Sequence, residues 1–237
     1  MKTTLKTNTR GKRKDNLILK SDAYKYTHWK LYPPGTQRVY SYLEARGTSD
    51  VRMPATIFYG LQIYLKEYLQ GVVIESWMID EDEEVCQKMF GQNYFNRKGW
   101  ERIVNVHGGK LPVTIKAVPE GTLVPVHNVL MTIENTDSQL PWLTNFLETL
   151  LFESSWYGTT VASTSFWIKK IIDDYAKKAG ERVNPFHLHD FGYRGVSSYQ
   201  SAGIGGSAHI INFLGTDTLA GIEFAMHYYG ADVCGYS

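Results

Sequence analysis

The stretch His187-Leu188-His189-Asp190-Phe191-Gly192-Tyr193-Arg194-Gly195 carries the densest chemistry of this 237-residue sequence. We expect residues 187–191 to form a buried strand that ends in imidazole, carboxylate and guanidinium groups. In barrels and open α/β sheets, the side chains that do chemistry gather where strands end. The stretch therefore predicts a functional site at the end of a strand.

Strands and helices are mixed on both sides of this stretch, which favours the α/β fold class. The acidic run over residues 80–84 is typical of the first turn of a helix, where the helix dipole is positive. The predicted strands cover residues 38–44, 112–118 and 129–134, and the predicted helices cover residues 58–69, 140–157, 163–179 and 216–229.

The composition excludes several classes of protein. Lys and Arg number 25 and Asp and Glu number 24, so a net charge of +1 gives no general attraction to nucleic acid or to a membrane. The two cysteines, Cys86 and Cys234, favour a reducing compartment over a disulfide framework. No apolar run approaches the roughly 20 residues that cross a bilayer. We therefore expect a cytoplasmic protein with no nucleic-acid partner and no membrane partner.

The sequence predicts two folded parts and an arm. Residues 1–15 form a basic segment that we expect to be disordered, with a nucleic-acid tether as the lesser alternative. An N-terminal α/β domain is expected over residues 16–182, and a second domain is expected to begin at residue 183.

The two histidines of the opening stretch leave a metal hypothesis open. His187 and His189 are two residues apart, so on a strand they share one face and could bind zinc together. Further ligands would have to come from His209, Asp217 or His227, and their spacing matches no known zinc motif. The alternative is that both histidines are hydrogen-bonded inside the fold.

Two later segments have both a structural and a functional interpretation. The run Gly203-Ile204-Gly205-Gly206-Ser207 could approach a phosphate, but it lacks the P-loop lysine and is better explained by a turn or by close helix packing. Thr216 or Asp217 could cap the last helix. The Asp217 carboxylate could instead accept hydrogen bonds from an amide or amine ligand.

Taken together, many segments in order resemble the nicotinamide phosphoribosyltransferase family. The resemblance runs from about residue 16 to the last residue, and its specificity comes from the number of motifs that match in sequence order. The matching segments are Ser21-Asp22-Ala23-Tyr24-Lys25-Tyr26-Thr27-His28, Tyr32-Pro33-Pro34, Val39-Tyr40-Ser41-Tyr42, Phe58-Tyr59-Gly60-Leu61-Gln62, Lys116-Ala117-Val118-Pro119-Glu120-Gly121, Glu134-Asn135-Thr136-Asp137, residues 188–198, Ala202-Gly203-Ile204-Gly205 and Gly215-Thr216-Asp217-Thr218.

The resemblance implies a fold and a reaction. A mixed α/β N-terminal domain would be followed, over residues 183–237, by the first part of an incomplete TIM-like barrel of the type II phosphoribosyltransferases. Nicotinamide would attack C1 of phosphoribosyl pyrophosphate and give nicotinamide mononucleotide and diphosphate, a glycosyl transfer in NAD salvage biosynthesis. The family forms homodimers with active sites at the subunit interface.

The resemblance also implies roles for individual residues. Phe191 would stack on one face of the pyridine ring, and the partner subunit's Tyr24 would stack on the other. Asp217 would accept the carboxamide N–H. Arg194 would bind diphosphate, and Arg46 falls where the family has a second-subunit arginine near the phosphates.

Other family features are expected beyond Ser237. They are the catalytic His and the groups that hold ribose, phosphates and Mg²⁺, so this chain would cover about half of the enzyme. We then expect no turnover without a complementary C-terminal half. A non-catalytic binding or oligomerisation subunit, or a nicotinate phosphoribosyltransferase, is the alternative. The Asp217 carboxylate would repel nicotinate and so favours nicotinamide.

Overall fold

The computed structural model describes residues 15–47 and 53–237, and it is a mixed α/β structure as predicted. Apart from Asp15, the predicted basic arm lies outside the described residues. Within them, no helix combines the length and the apolar character that crossing a membrane requires. The helices are α1 (Lys25–His28), α2 (Leu61–Tyr64), α3 (Ser76–Phe90), α4 (Arg97–His107), α5 (Leu143–Phe146), α6 (Glu148–Ala179), α7 (Tyr199–Ile210) and α8 (Leu219–Tyr229). The strands are β1 (Tyr40–Glu44), β2 (Ala55–Ile57), β3 (Val113–Ala117), β4 (Leu123–Pro125), β5 (Val129–Asn135), β6 (His189–Asp190) and β7 (Gly215–Thr216).

The chain divides into two compact units, and each unit is built from segments that are separated in the sequence. Unit 1 contains the described residues up to Val39, Tyr68–Val113 and Asn135–Thr149. Unit 2 contains the described residues of Tyr40–Glu67, together with Thr114–Glu134 and Leu150–Ser237. The domain boundary between residues 182 and 183 stays a prediction.

Unit 1 packs its helices around a cluster of aromatic rings. The ring centroids of Trp100 and Trp142 are 4.9 Å apart, and Phe146 lies 4.9 Å from Trp100, both pairs in edge-on geometry. Helix α4 begins where the Asn96 side chain accepts a hydrogen bond from the Gly99 N–H at 3.2 Å. The edge-on ring contacts and the cap at the start of α4 stabilise this part of unit 1.

The acidic run at residues 80–84 does not begin a helix, because α3 starts at Ser76. Four of its five carboxylates bind side chains from other segments, and Glu84 pairs with Lys88 of the same helix. Glu83 is 2.6 Å from an Arg97 guanidinium nitrogen, and the fully buried Asp82 accepts a hydrogen bond from Asn16 at 2.7 Å. Tertiary partners, rather than the helix dipole, therefore explain the run.

Asp137 is the centre of a buried charged network in unit 1. Its carboxylate is 2.7 Å from Arg102 Nε and 2.7 Å from His107 Nε2, and it also accepts the Gln139 N–H at 2.9 Å. The side chain is 4% exposed, and burial alone would raise its pKa. The hydrogen bonds outweigh burial and lower the pKa to about 2.

This depressed pKa predicts how unit 1 responds to acid. The ionised carboxylate stabilises the fold above its ordinary pKa of 3.8, and that contribution is lost as the pH falls towards about 2. Asp137→Asn is expected to lower the free energy of unfolding by about 2 kcal/mol at pH 7. Urea denaturation at pH 7 and at pH 3 measures the loss, which should shrink at the lower pH.

The exposed Asp174, 3.9 Å from Lys170, provides the matched control. Asp174→Asn is expected to change stability by no more than about 0.5 kcal/mol. A loss in Asp137→Asn that is the same at both pH values would contradict the assignment.

Unit 2 contains two small antiparallel sheets. One has the strand order β1-β5-β3, and in it Tyr40 pairs with Glu134 and Leu43 pairs with Met131. The other joins β2 to β4, with Thr56 opposite Val124. The strands predicted over residues 38–44, 112–118 and 129–134 are confirmed, whereas β2 and β4 were not predicted.

The start of the predicted helix over residues 140–157 forms the separate short helix α5, and the predicted break at residues 158–162 is absent, because residues 148–179 form one continuous helix, α6. Neighbouring backbone holds this segment in the helix. Thr159 Oγ1 accepts the Tyr59 N–H at 3.1 Å, and Ser163 Oγ accepts the Ile57 N–H at 2.8 Å. These bonds satisfy buried groups on both sides, so tertiary contacts override the weak helix propensity of the segment.

The glycine-rich run is part of helix α7, which packs closely against α8. A Cβ added at Gly221 would lie 2.6 Å from the Gly206 Cα, and one added at Gly203 would lie 2.3 Å from the Phe224 ring. Real side chains do not approach this closely, so only glycine allows the two helices to meet. Close helix packing is therefore the correct interpretation of the run.

The contact between α7 and α8 predicts a stability loss on adding one methyl group. Gly221→Ala is expected to lower the free energy of unfolding by about 2 kcal/mol, because the helices must separate. The loss should appear although alanine favours a helix by about 1 kcal/mol over glycine. Gly195→Ala is the control, since a Cβ there meets nothing within 4 Å. Equal stability of the two variants would contradict this packing.

Candidate functional site

The candidate site is built on the parallel pair β6 and β7 of unit 2. Asp190 lies opposite Thr216, and the Asp217 N–H donates to the Asp190 carbonyl at 2.9 Å. Phe191 and Asp217 are thus the first residues after two paired strands that run in the same direction. The predicted strand over residues 187–191 is shorter than expected, since only His189 and Asp190 pair, and these two residues are half-buried and not buried as predicted.

His189 lies against both of these residues. Its ring stacks on Phe191 with a centroid distance of 4.6 Å and an angle of 30°. Its Nε2 is 3.4 Å from Asp217 Oδ1 and finds no well-aligned hydrogen bond among the described residues. A Cβ at Gly215 would lie 2.6 Å from His189 Nδ1, so glycine at this position makes room for the imidazole.

A cavity of about 430 Å³ opens beside this strand pair. Its volume falls in the range of small-ligand sites. The Phe191 ring lines it and is 62% exposed, so a flat ligand can reach an aromatic face. Thr218 also lines the cavity, and its buried hydroxyl oxygen has no partner among the described residues. The lining also includes Tyr157, His189, Tyr193 and His209.

His209 fixes the strand that carries Asp217. Its Nε2 is 3.1 Å from the Gly215 carbonyl, and its Nδ1 is 3.2 Å from Ser165 Oγ. Burial lowers the pKa of the imidazole, so it is neutral and donates from Nε2 while Nδ1 accepts from the hydroxyl. The sequence indicated His209 only as a zinc candidate, and its positioning role required the three-dimensional contacts.

Asp217 keeps its negative charge near neutral pH. A hydrogen bond with the Ser237 side chain and the neighbouring His189 lower the pKa of the carboxyl group. An ionised carboxylate only accepts hydrogen bonds, so it suits an N–H donor and rejects another carboxylate. Asp217 precedes helix α8 and does not cap it, because the residue at the N-cap is Thr218.

The other predicted site residues lie in different places. Arg194 follows Phe191 on a short 3₁₀ helix, Gly192–Gly195, and is exposed. Arg46 lines a separate cavity of about 450 Å³ next to β1 and α6. Tyr24 belongs to unit 1, is 51% exposed and donates to Asp22 Oδ2 at 3.3 Å.

The zinc hypothesis gains no support from the structure. In the part of the chain that is described, no three His, Cys, Asp or Glu side chains come close enough to hold a metal ion. His187 is exposed, so the expectation that both histidines are buried is also wrong.

The electrostatics of Asp217 can be measured directly. Carboxyl titration by NMR should give a pKa below the ordinary value of 3.8. Ser237→Ala and His189→Gln should each move the pKa back towards that value, because each removes a group that stabilises the charged form. A pKa at or above 3.8 in the unsubstituted protein, or no response to either substitution, would contradict this description.

Comparisons with known proteins agree with the resemblance seen in the sequence. Residues 16–115 match the N-terminal domain model of nicotinamide phosphoribosyltransferase, and residues 186–236 match the nicotinate phosphoribosyltransferase family model. The nicotinamide phosphoribosyltransferase of Xanthomonas campestris is 46% identical over 226 residues, covering 94% of this chain and 47% of the relative. That of Acinetobacter baylyi is 32% identical, covering 89% of this chain and 44% of the relative.

A solved structure shows the same fold. The crystal structure of human nicotinic acid phosphoribosyltransferase aligns with a TM-score of 0.56 and 17% identity, covering 85% of this chain and 36% of that protein. The chain spans about half the length of the curated relatives it matches. By sequence, the chain is similar to nicotinamide phosphoribosyltransferases over most of its own length, and its residues 16–115 match the N-terminal domain model of that family.

Proposed function

We propose that this chain supplies the nicotinamide-binding part of a nicotinamide phosphoribosyltransferase. One observation carries the proposal. The Phe191 ring, which lines the cavity of about 430 Å³, and the Asp217 carboxylate belong to the first residues after two paired parallel strands. The names of the relatives support the same activity.

The chemistry of the two side chains fits the two ends of nicotinamide. One face of Phe191 is stacked on His189, and the exposed part of the ring can contact an electron-poor pyridine. The Asp217 carboxylate can accept the carboxamide N–H, whereas nicotinate would place a second carboxylate against it. The pair therefore selects the amide over the acid.

In the proposed reaction, the pyridine nitrogen forms a bond to C1 of phosphoribosyl pyrophosphate as the bond from C1 to the diphosphate oxygen breaks. Arg194 is proposed to bind the diphosphate, because a planar guanidinium makes paired hydrogen bonds to phosphate oxygens. The partner subunit's Tyr24 and the partner subunit's Arg46 are proposed to complete the site in a homodimer. A complementary C-terminal half is the other proposed partner.

Mg²⁺ is proposed to accompany phosphoribosyl pyrophosphate. The described residues do not fit the ion, since no three carboxylate, imidazole or thiolate side chains among them come together. No step of the reaction is therefore assigned to magnesium on this chain.

We further propose that β6, α7 and β7 begin a TIM-like barrel at about residue 183, in a cytoplasmic enzyme. The two parallel strands are joined through a helix, which is the repeating unit of such barrels. Asp217 lies at the carboxyl end of its strand, where barrel enzymes hold their substrates.

Binding of the free base tests the proposal with the full 237-residue chain. Isothermal titration calorimetry should show that nicotinamide binds and that nicotinate binds at least about tenfold more weakly. Phe191→Ala should weaken nicotinamide binding about fivefold by removing the ring contact. Asp217→Asn should reduce the difference in affinity between nicotinamide and nicotinate. The substitution removes the charge that repels nicotinate but keeps an amide oxygen that can accept the carboxamide N–H.

Tyr175→Ala is the matched control, since Tyr175 is an exposed aromatic residue on α6 away from the cavity lining. It should leave both affinities unchanged. Tighter binding of nicotinate than of nicotinamide, or equal effects of the Phe191 and Tyr175 substitutions, would refute the proposed site.

A further inference from the structure

A second cavity, of about 350 Å³, lies in unit 1 at the start of helix α4. The proposed transferase reaction uses none of its residues. Among the described residues that line it, Lys98 and Arg102 carry positive charge and none is acidic. Asp137, which is not part of the lining, pairs with Arg102, so the positive charge of the cavity that has no ion pair among the described residues comes from Lys98.

Lys98 and Arg102 differ in the bonds that they already make within the protein. Lys98 is exposed and makes no ion pair with any residue that the structure describes. Arg102 uses its Nε to bind Asp137 at 2.7 Å, which orients the guanidinium plane and leaves its terminal nitrogens for a second acceptor. The surrounding fold thus holds Arg102 in place while Lys98 can move to meet a ligand.

Two residues of the lining also carry uncharged donors, Asn96 and Trp142. The Asn96 Oδ1 accepts the Gly99 N–H, so the amide NH₂ group points elsewhere. Trp142 is 7% exposed, lines the cavity, and has an indole N–H without an acceptor among the described residues. A Cβ at Gly99 would lie 2.7 Å from Asn96 Nδ2 and 2.8 Å from Trp142 Cζ2, so both groups crowd the first turn of α4.

The start of helix α4 adds to the positive electrostatic potential at the cavity. Helix α4 has 11 residues, and its N-terminus presents backbone N–H groups and the positive end of the helix dipole. Apolar rings form another part of the lining, with Trp29, Tyr32 and Pro141. The lining thus combines hydrogen-bond donors and positive charge with aromatic and proline rings.

We propose that this cavity binds the phosphate group of a small phosphate monoester whose flat ring lies on the aromatic wall. A phosphate has acceptor oxygens for Lys98, Arg102 and Asn96, and the buried indole N–H of Trp142 would gain the acceptor that it lacks. A metal cation is disfavoured, because the lining offers positive charge and no carboxylate. The site is independent of the proposed transferase function.

Phenyl phosphate is the probe, because it joins one phosphate to one flat ring. In ¹H–¹⁵N spectra of the full chain, its titration should shift the Trp142 indole N–H resonance, assigned with Trp142→Phe. Inorganic phosphate should shift the same resonance with weaker affinity, and phenol should not shift it. An equal response to phenol and phenyl phosphate, or no response to phenyl phosphate, would overturn the proposal.

Lys98→Gln should weaken phenyl phosphate binding about fivefold, and Lys98→Glu should abolish it. Lys110→Gln is the matched control, since Lys110 is an exposed lysine that follows the other end of α4. It should bind as the unsubstituted protein does. If both glutamine variants weakened binding equally, the effect would come from the overall charge of the protein and not from this cavity, and the proposed site would be refuted.

The unit 2 site could also attract a phosphate through Arg194. Arg194→Gln should therefore leave the phenyl phosphate shift of Trp142 unchanged. Loss of that shift in Arg194→Gln, with no effect of Lys98→Gln, would assign the binding to unit 2 and refute the unit 1 cavity.

Discussion

Parallel pairing of β6 and β7 is the constraint on which the candidate site depends. Each strand pairs through only two residues, yet together they set Phe191 and Asp217 side by side, because parallel strands end at the same edge. A pair this short needs external support. His209 supplies part of it by donating to the Gly215 carbonyl, and the Asp217 N–H bond to the Asp190 carbonyl extends the pairing by one step.

The connection between these strands explains the glycines of unit 2. Helix α7 must leave β6, return to β7 and still allow α8 to pack beside it, and the contact of Gly206 with Gly221 brings the two helix backbones together. Gly215 solves a separate problem, since it leaves space for the His189 ring beneath Phe191. The glycines of α7 therefore allow close helix packing, whereas Gly215 of β7 leaves room for the His189 side chain.

Local sequence predicted those features that depend on neighbours along the chain. The short strand within residues 187–191 and the last helix, which ends at Gly230, follow from residue order alone. Features set by distant contacts were missed or wrong. Helix α6 is continuous because Tyr59 and Ile57 bond to its side chains, and the acidic run lies inside α3 because Arg97 and Asn16 reach it from elsewhere. Local sequence patterns do not show which separated segments will pack together into one unit.

The net charge of the chain is only +1, but its charged side chains differ in how completely they are paired. Some are neutralised by neighbouring groups, as where Arg97 binds Asp80, Glu83 and Glu101, and such clusters offer little to a ligand. Other charged groups are less fully neutralised. Asp217 has a hydrogen bond with Ser237 and a contact of 3.4 Å to His189, and Lys98 has no ion pair among the described residues. On the proposed assignments, the Asp217 carboxylate would accept an amide N–H in unit 2, whereas Lys98 would bind an acceptor-rich anion in unit 1, so the two proposed sites favour opposite ligand chemistries.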